Sequence, residues 1–135
     1  MNAKVQIRRE EDFVKFLNIH DFQVDDLGEG VYRAVRDEEL PVFINIDENS
    51  MYFEVDIGNI STISDNDLYF NLLDLNTEIQ PVSLGINNSN PEDPRLVLVE
   101  RRETSHLDDN EVLSVFDAFE LAADKTEEIL SSTLQ

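Results

Sequence analysis

Cysteine is absent from all 135 residues. That excludes disulfides, thiolate nucleophiles, cysteine zinc sites and iron–sulfur clusters, and it fits a reducing compartment. Glycine occurs four times. A phosphate-cradling loop needs more of it at fixed spacing, and Gly28-Glu-Gly30 is too short and lacks the third glycine of a dinucleotide fingerprint. No run approaches the roughly 18 apolar residues of a membrane-spanning helix. The opening stretch, Met1 to Phe13, has no apolar segment of the secretory type. The expectation is a soluble, cytoplasmic protein without membrane insertion.

Basic residues are the other scarcity. Ten Lys and Arg face thirty Asp and Glu, a formal charge of −20. Such a chain repels nucleic-acid phosphates and anionic headgroups, and it favours basic partners or simple solubility. Lys4, Arg8, Arg9 and Lys15 sit near the start, so the acidity lies almost wholly after His20. Strong acidity alone would describe a disordered tail, but 41% hydrophobic residues are enough for a core. Residues 1–135 are read as one α+β domain.

Arg9 to Ile19 reads as a helix with Phe13, Val14, Phe16 and Leu17 on one face and acidic residues in its first turn. Three strands follow: Val31 to Arg36 after the glycine turn, Val42 to Ile46 after Pro41, and Met51 to Ile57. The last alternates Met51, Phe53, Val55 and Ile57 against Tyr52, Glu54 and Asp56, one face dry and one wet. Ser64 is read as an N-cap for a helix reaching Leu75. Leu68, Leu72 and Leu75 form one face of it, and Tyr69, Phe70 and Leu73 widen it, so burial on more than one side is expected. Val82 to Ile86 and Arg95 to Arg101 read as two more strands around the loop Asn87 to Pro94. Asp109 to Ser131 is a long amphipathic helix with Val112, Val115, Phe116, Phe119, Ala122, Ala123, Thr126, Ile129 and Leu130 in its stripe. The order α-β-β-β-α-β-β-α, with connections too short for parallel crossovers, predicts a twisted antiparallel sheet with helices on one face.

Taken together, the element order, the size and the acidity resemble the type III secretion chaperone-like fold. That resemblance covers nearly the whole chain and implies a dimer that holds an extended client segment. A narrower resemblance rests on Glu39-Leu-Pro-Val-Phe43, on Leu72-Leu-Asp-Leu-Asn76 leading to Pro81-Val-Ser-Leu84, and on the closing acidic helix. These segments are similar to the YjfI family of bacteria, whose genes lie near members of the PspA family of membrane-stress proteins. Membership implies a small cytosolic accessory protein touching a PspA-like helical partner. It carries over no catalytic residue.

The residues themselves offer little chemistry. His20 ends the first helix, where a histidine interacts with the dipole; His106 lies in a polar connection, and neither has a ligand-type neighbour one helical turn away. Asp65-Asn66-Asp67 and Asp47-Glu48-Asn49 lack the glycine and the bidentate glutamate of a calcium loop. No metal, cofactor or catalytic residue is therefore assigned. The leading expectation is a non-enzymatic protein-binding module. It binds a basic or helical partner through the acidic face of the last helix (Glu111, Asp117, Glu120, Asp124, Glu127 and Glu128), and spare apolar width on that helix makes a homodimer. An acidic nucleic-acid mimic or inhibitor of a basic protein stands second, and a small metal-dependent enzyme third. Because carboxylate repulsion opposes folding, screening should help: the melting temperature is expected to rise between low salt and about 0.5 M sodium chloride. A flat or falling melting temperature in a salt titration would mean that ion pairs outweigh repulsion.

Overall fold

The computed structural model describes residues 10–61 and 65–134. Arg9 and Ser64, named above, lie outside them. The elements are α1 (Glu10–Ile19), β1 (Gln23–Gly28), β2 (Val31–Val35), β3 (Val42–Ile46), β4 (Ser50–Asn59), α2 (Asn66–Leu75), β5 (Ser83–Asn87), β6 (Arg95–Glu103), one 3₁₀ turn (Thr104–His106) and α3 (Asp109–Leu134). The expected order is present, with one strand added in front. β1 escapes sequence reading because Val24 is its only partly buried position; the other five are exposed. Its partner β2 makes it a strand, through pairs from Gln23 with Val35 to Gly28 with Val31. The turn between them needs φ of 90°, 54° and 80° at Gly28, Glu29 and Gly30, which glycine supplies at two of the three positions.

All six strands pair antiparallel in the order β1-β2-β3-β4-β6-β5. The first four follow one another as hairpins. The chain then crosses through α2 to the far edge, lays down β5 and returns as β6 between β5 and β4. β4 and β6 form the longest ladder, from Ser50 opposite Glu103 to Asn59 opposite Arg95, with a bulge between Asp56 and Gly58.

Alternation sorts the two faces. Tyr32, Ala34, Val42, Ile44, Met51, Phe53, Val55 and Leu98 are buried in one core with Phe13 and Leu17 of α1 and the stripe of α3. At its centre, Phe53 meets Phe116 edge-on at 5.9 Å between ring centroids, and Phe22 packs on Phe116 at 4.4 Å. The α3 stripe runs as its spacing requires, with Val112, Val115, Phe116, Phe119, Ala122, Ala123 and Thr126 all buried and Ile129 and Leu130 partly so. Thr126 avoids an unpaired hydroxyl by donating to the Ala122 carbonyl at 2.7 Å.

α2 corrects two expectations. Its N-cap is Asp65, whose carboxylate accepts the Leu68 N–H at 2.6 Å. Leu68, Leu72 and Leu75 are buried, but Phe70 and Leu73 are 71% and 69% exposed. The wide apolar surface of α2 is thus buried on one side only. For the core itself, Phe116→Ala or Phe119→Ala should cost about 3–5 kcal/mol. A loss under about 1 kcal/mol in a denaturant titration would contradict this packing.

Candidate protein-binding site

Two surfaces stand out, and they differ in chemistry. The first joins α2 to the edge strand β5. An apolar cavity of about 250 Å³ lies between them, lined by Tyr69, Leu72 and Leu73 of α2, by Leu84 and Ile86 of β5, and by Ile60 and Leu96. Phe70, Leu73 and, at 53% exposure, Ile86 stand open beside it. Its edge strand, Ser83-Leu-Gly-Ile-Asn87, has neither charge nor proline. Edges are normally blunted with such residues to prevent pairing with another chain. In a chain of charge −20, a charge-free edge beside exposed leucine and phenylalanine has the character of an interface.

The second surface is α3. Its apolar stripe is largely spent on the core; among the described residues of α3, Leu121 is exposed and Ile129 and Leu130 are partly buried. The larger exposed apolar surface therefore lies on α2 and β5 and not, as read from the sequence, on α3. Of the six acidic residues assigned to partner binding, three have cationic neighbours within the chain. Arg36 donates to Asp117 at 3.1 Å and to Glu120, and Glu111 lies 3.7 Å from Arg102. Asp124, Glu127 and Glu128 are exposed.

The bare face of the sheet is different again. Arg33 meets Asp25 at 3.4 Å, and Arg95 meets Asp56 and Asp93, each at 3.1 Å. Arg101 lies 5.4 Å from the centre of the Tyr52 ring, and the Tyr52 hydroxyl donates to Glu54 at 2.8 Å. Burial, then that hydrogen bond and the Glu54 charge, push the Tyr52 phenol up to about 12. Arg33 and Arg95 thus pair with three carboxylates, Asp25, Asp56 and Asp93.

Sequence reading missed one buried group. Glu100 is 6% exposed. One carboxylate oxygen accepts from Arg102 Nε, and Oε1 has no hydrogen-bond partner. The signal was present: Glu100 is in phase with Leu96 and Leu98 along β6. Elsewhere, His20 behaves as a helix end, its N–H donating to the Leu17 carbonyl at 3.0 Å and its ring 4.7 Å from that of Phe16. The His106 side chain lies outside the described residues. Among the described residues, no group of three or more His, Asp or Glu is placed to hold a metal ion, and no helix is long and apolar enough to cross a membrane.

A helix-backed antiparallel sheet with an uncharged edge and an open apolar surface defines a class of protein-binding module. Within that class the chain belongs to the Tir chaperone protein (CesT) family, whose model matches residues 11–126. It is a chaperone-like binding module, and the family points to a non-enzymatic protein. The fold is also found in solved structures. A chain of the heterodimeric complex ExoU-SpcU from the type III secretion system of Pseudomonas aeruginosa superposes with TM-score 0.69 at 16% identity, covering 85% of this chain and 94% of that one. The Yersinia pestis type III secretion chaperone SycH, in complex with a stable fragment of YscM2, gives 0.58 at 14%, covering 86% and 94%. YbjN, a putative transcription regulator from E. coli, gives 0.57 at 10%, covering 94% and 89%. No curated protein sequence matches this chain significantly.

The charges near Arg36 yield a test. Glu39 is pushed above the ordinary glutamate range by desolvation, then by the charges of Glu120 and Asp124, with Arg36 opposing. A carboxyl whose folded-state pKa is raised disfavours the fold once ionised, so its penalty is absent at low pH and grows as pH rises through that pKa. Glu39→Gln should therefore melt higher than the parent at neutral pH, and the gap should close as pH falls below about 4.3, the ordinary glutamate value. A gap that persists at low pH would assign the gain to something other than ionisation.

Proposed function

We propose that this protein is a cytoplasmic, non-enzymatic chaperone that works as a homodimer and holds a segment of a protein partner. The observation that carries the reading is the apolar surface formed by α2 and the uncharged edge strand β5 on an otherwise strongly acidic chain. A second copy is the occupant that best suits it. Two chains of charge −20 repel wherever charged surfaces face each other. β5 brings no carboxylate to such a contact, and on α2 the exposed Phe70 and Leu73 lie between Asp67 and Asp74. An isologous contact puts Phe70, Leu73 and Ile86 of one copy against the same patch of the other. Each such side chain contributes at most about 1.5–3 kcal/mol on burial. Together they must offset an association cost of about 4–15 kcal/mol and the repulsion. Micromolar association that tightens with salt follows.

The client side draws on the family and on its neighbours, where a type III secretion chaperone is seen with a fragment of another protein. The narrower affiliation with the YjfI family, and with it a PspA-like helical partner, belongs to the same proposal. For a partner rich in Lys or Arg, the exposed Asp124, Glu127 and Glu128 of α3 supply complementary charge.

Sedimentation equilibrium at several salt concentrations tests the dimer. The expected result is a monomer–dimer equilibrium that strengthens with salt and is lost in Leu73→Asp, at around 100 µM protein, enough to populate micromolar dimers. A monomer under all conditions would remove the dimer. Affinity capture from a bacterial lysate tests the chaperone reading, which requires stoichiometric enrichment of a protein partner at low salt and fails if none is enriched.

A further inference from the structure

A small pocket opens where β2 leaves the sheet and its connection to β3 passes α3. Its floor is the main core: Ala34, Val42 and Val55 from the sheet, and Phe116 and Phe119 from α3. Its rim is polar, formed by Arg36, Glu39 and Glu120. The space inside is about 20 Å³. That is room for little more than one water-sized group, far below the roughly 300–1,000 Å³ of a small-molecule site. A pocket of this size with an apolar floor accepts the tip of a small aliphatic side chain.

The rim decides which aliphatic segment. Its one guanidinium is already engaged, by Asp117 at 3.1 Å, by Glu120, and by the Phe22 ring 4.7 Å away. Glu39 remains, within electrostatic reach of Glu120 and Asp124. The mouth therefore has an excess of negative charge, and an incoming cation would relieve it. An acidic or phosphorylated segment would be repelled.

We propose that this pocket receives a small aliphatic side chain of an extended basic segment of a protein partner, with a lysine or arginine of that segment seated on Glu39 and Asp124. The proposal rests on the reading of the chain as a protein-binding module and adds the recognised chemistry. On an extended chain, side chains two residues apart point the same way. The recognised pattern is thus a basic residue and a small aliphatic one separated by a single position.

A blocked heptapeptide with valine at its centre, lysine two residues to either side and serine elsewhere is the probe, titrated by fluorescence anisotropy at low salt. Binding in the range of about 1 mM or tighter is expected. The double variant Glu39→Gln/Asp124→Asn should weaken it by about tenfold, equivalent to roughly 1.4 kcal/mol. Glu48→Gln/Glu92→Gln removes the same charge from remote exposed positions and should leave it within about twofold, near 0.4 kcal/mol. Ala123→Val, which narrows the pocket, should weaken the valine peptide toward the level of a serine-centred control. Thermal melts confirm that each variant is folded. Equal losses in the two double variants, equal binding of the serine-centred control, or no binding at all overturns the pocket. If a partner captured by the parent is still captured by the pocket variant, the site fails while the chaperone reading stands.

Discussion

Everything else in this fold depends on α3 lying across the middle of the sheet. Phe53 on β4 is the fixed point: Phe116 meets it edge-on, and Phe119 lies 6.3 Å away between centroids. β4 is central because β3 and β6 pair to its two sides. A contact made there braces both halves of the sheet at once. The hairpins β1 to β3 and the pair β5–β6 come from opposite ends of the chain order, and the β4–β6 ladder joins them. Without α3 the inward apolar face of that sheet would be open to water, and a lone sheet face of this kind is not stable.

Charge is the second constraint, and scarce cations are placed where they organise structure. Arg36 ties the end of β2 to Asp117 and Glu120 of α3. Arg95 ties β6 to Asp56 of β4 and to Asp93 at the end of the long loop. Arg102 meets the buried Glu100 on its own strand and approaches Glu111 of α3. Partly exposed pairs like these contribute little each, about 0–1 kcal/mol. Their positions matter more than their strength, because each relieves carboxylates that would otherwise repel at a junction between elements. Glu100 follows a harsher rule: once it is buried with one oxygen unpaired, losing Arg102 would leave an uncompensated charge inside.

Much of this architecture was legible in the residues. α3 announced itself through a stripe at three- and four-residue spacing, and β4 through strict alternation from Met51 to Ile57. β1 was not legible, because Gln23-Val-Asp-Asp-Leu-Gly28 has the composition of a turn and becomes a strand only by pairing with β2. The exposed side of α2 was misjudged for a related reason. Phe70 and Leu73 look apolar whether they face a core or a partner, and periodicity does not separate the two. Long-range pairing was equally hidden. Arg36 reaches Asp117 and Glu120 across 81 and 84 positions, so the acidic face of α3 looked more available than the fold leaves it. Amphipathic phase alone was enough to place Asp124, Glu127 and Glu128 on the exposed side of α3.

The uncharged edge at β5 draws these constraints together. A domain with this much negative charge has ample means to guard a sheet edge, and it does so at β1, where Asp25 and Asp26 are exposed. At β5 the same protein places serine, leucine, glycine, isoleucine and asparagine, next to a helix that exposes Phe70 and Leu73 between Asp67 and Asp74. The two edges of one sheet are thus opposite in character. An edge guarded by carboxylates repels a second copy of the chain. An edge stripped of them carries no such repulsion along the strand, and exposed apolar area lies beside it. The chain's acidity is thus unevenly spread: it guards the β1 edge and the exposed side of α3, and it is missing from the β5 strand itself.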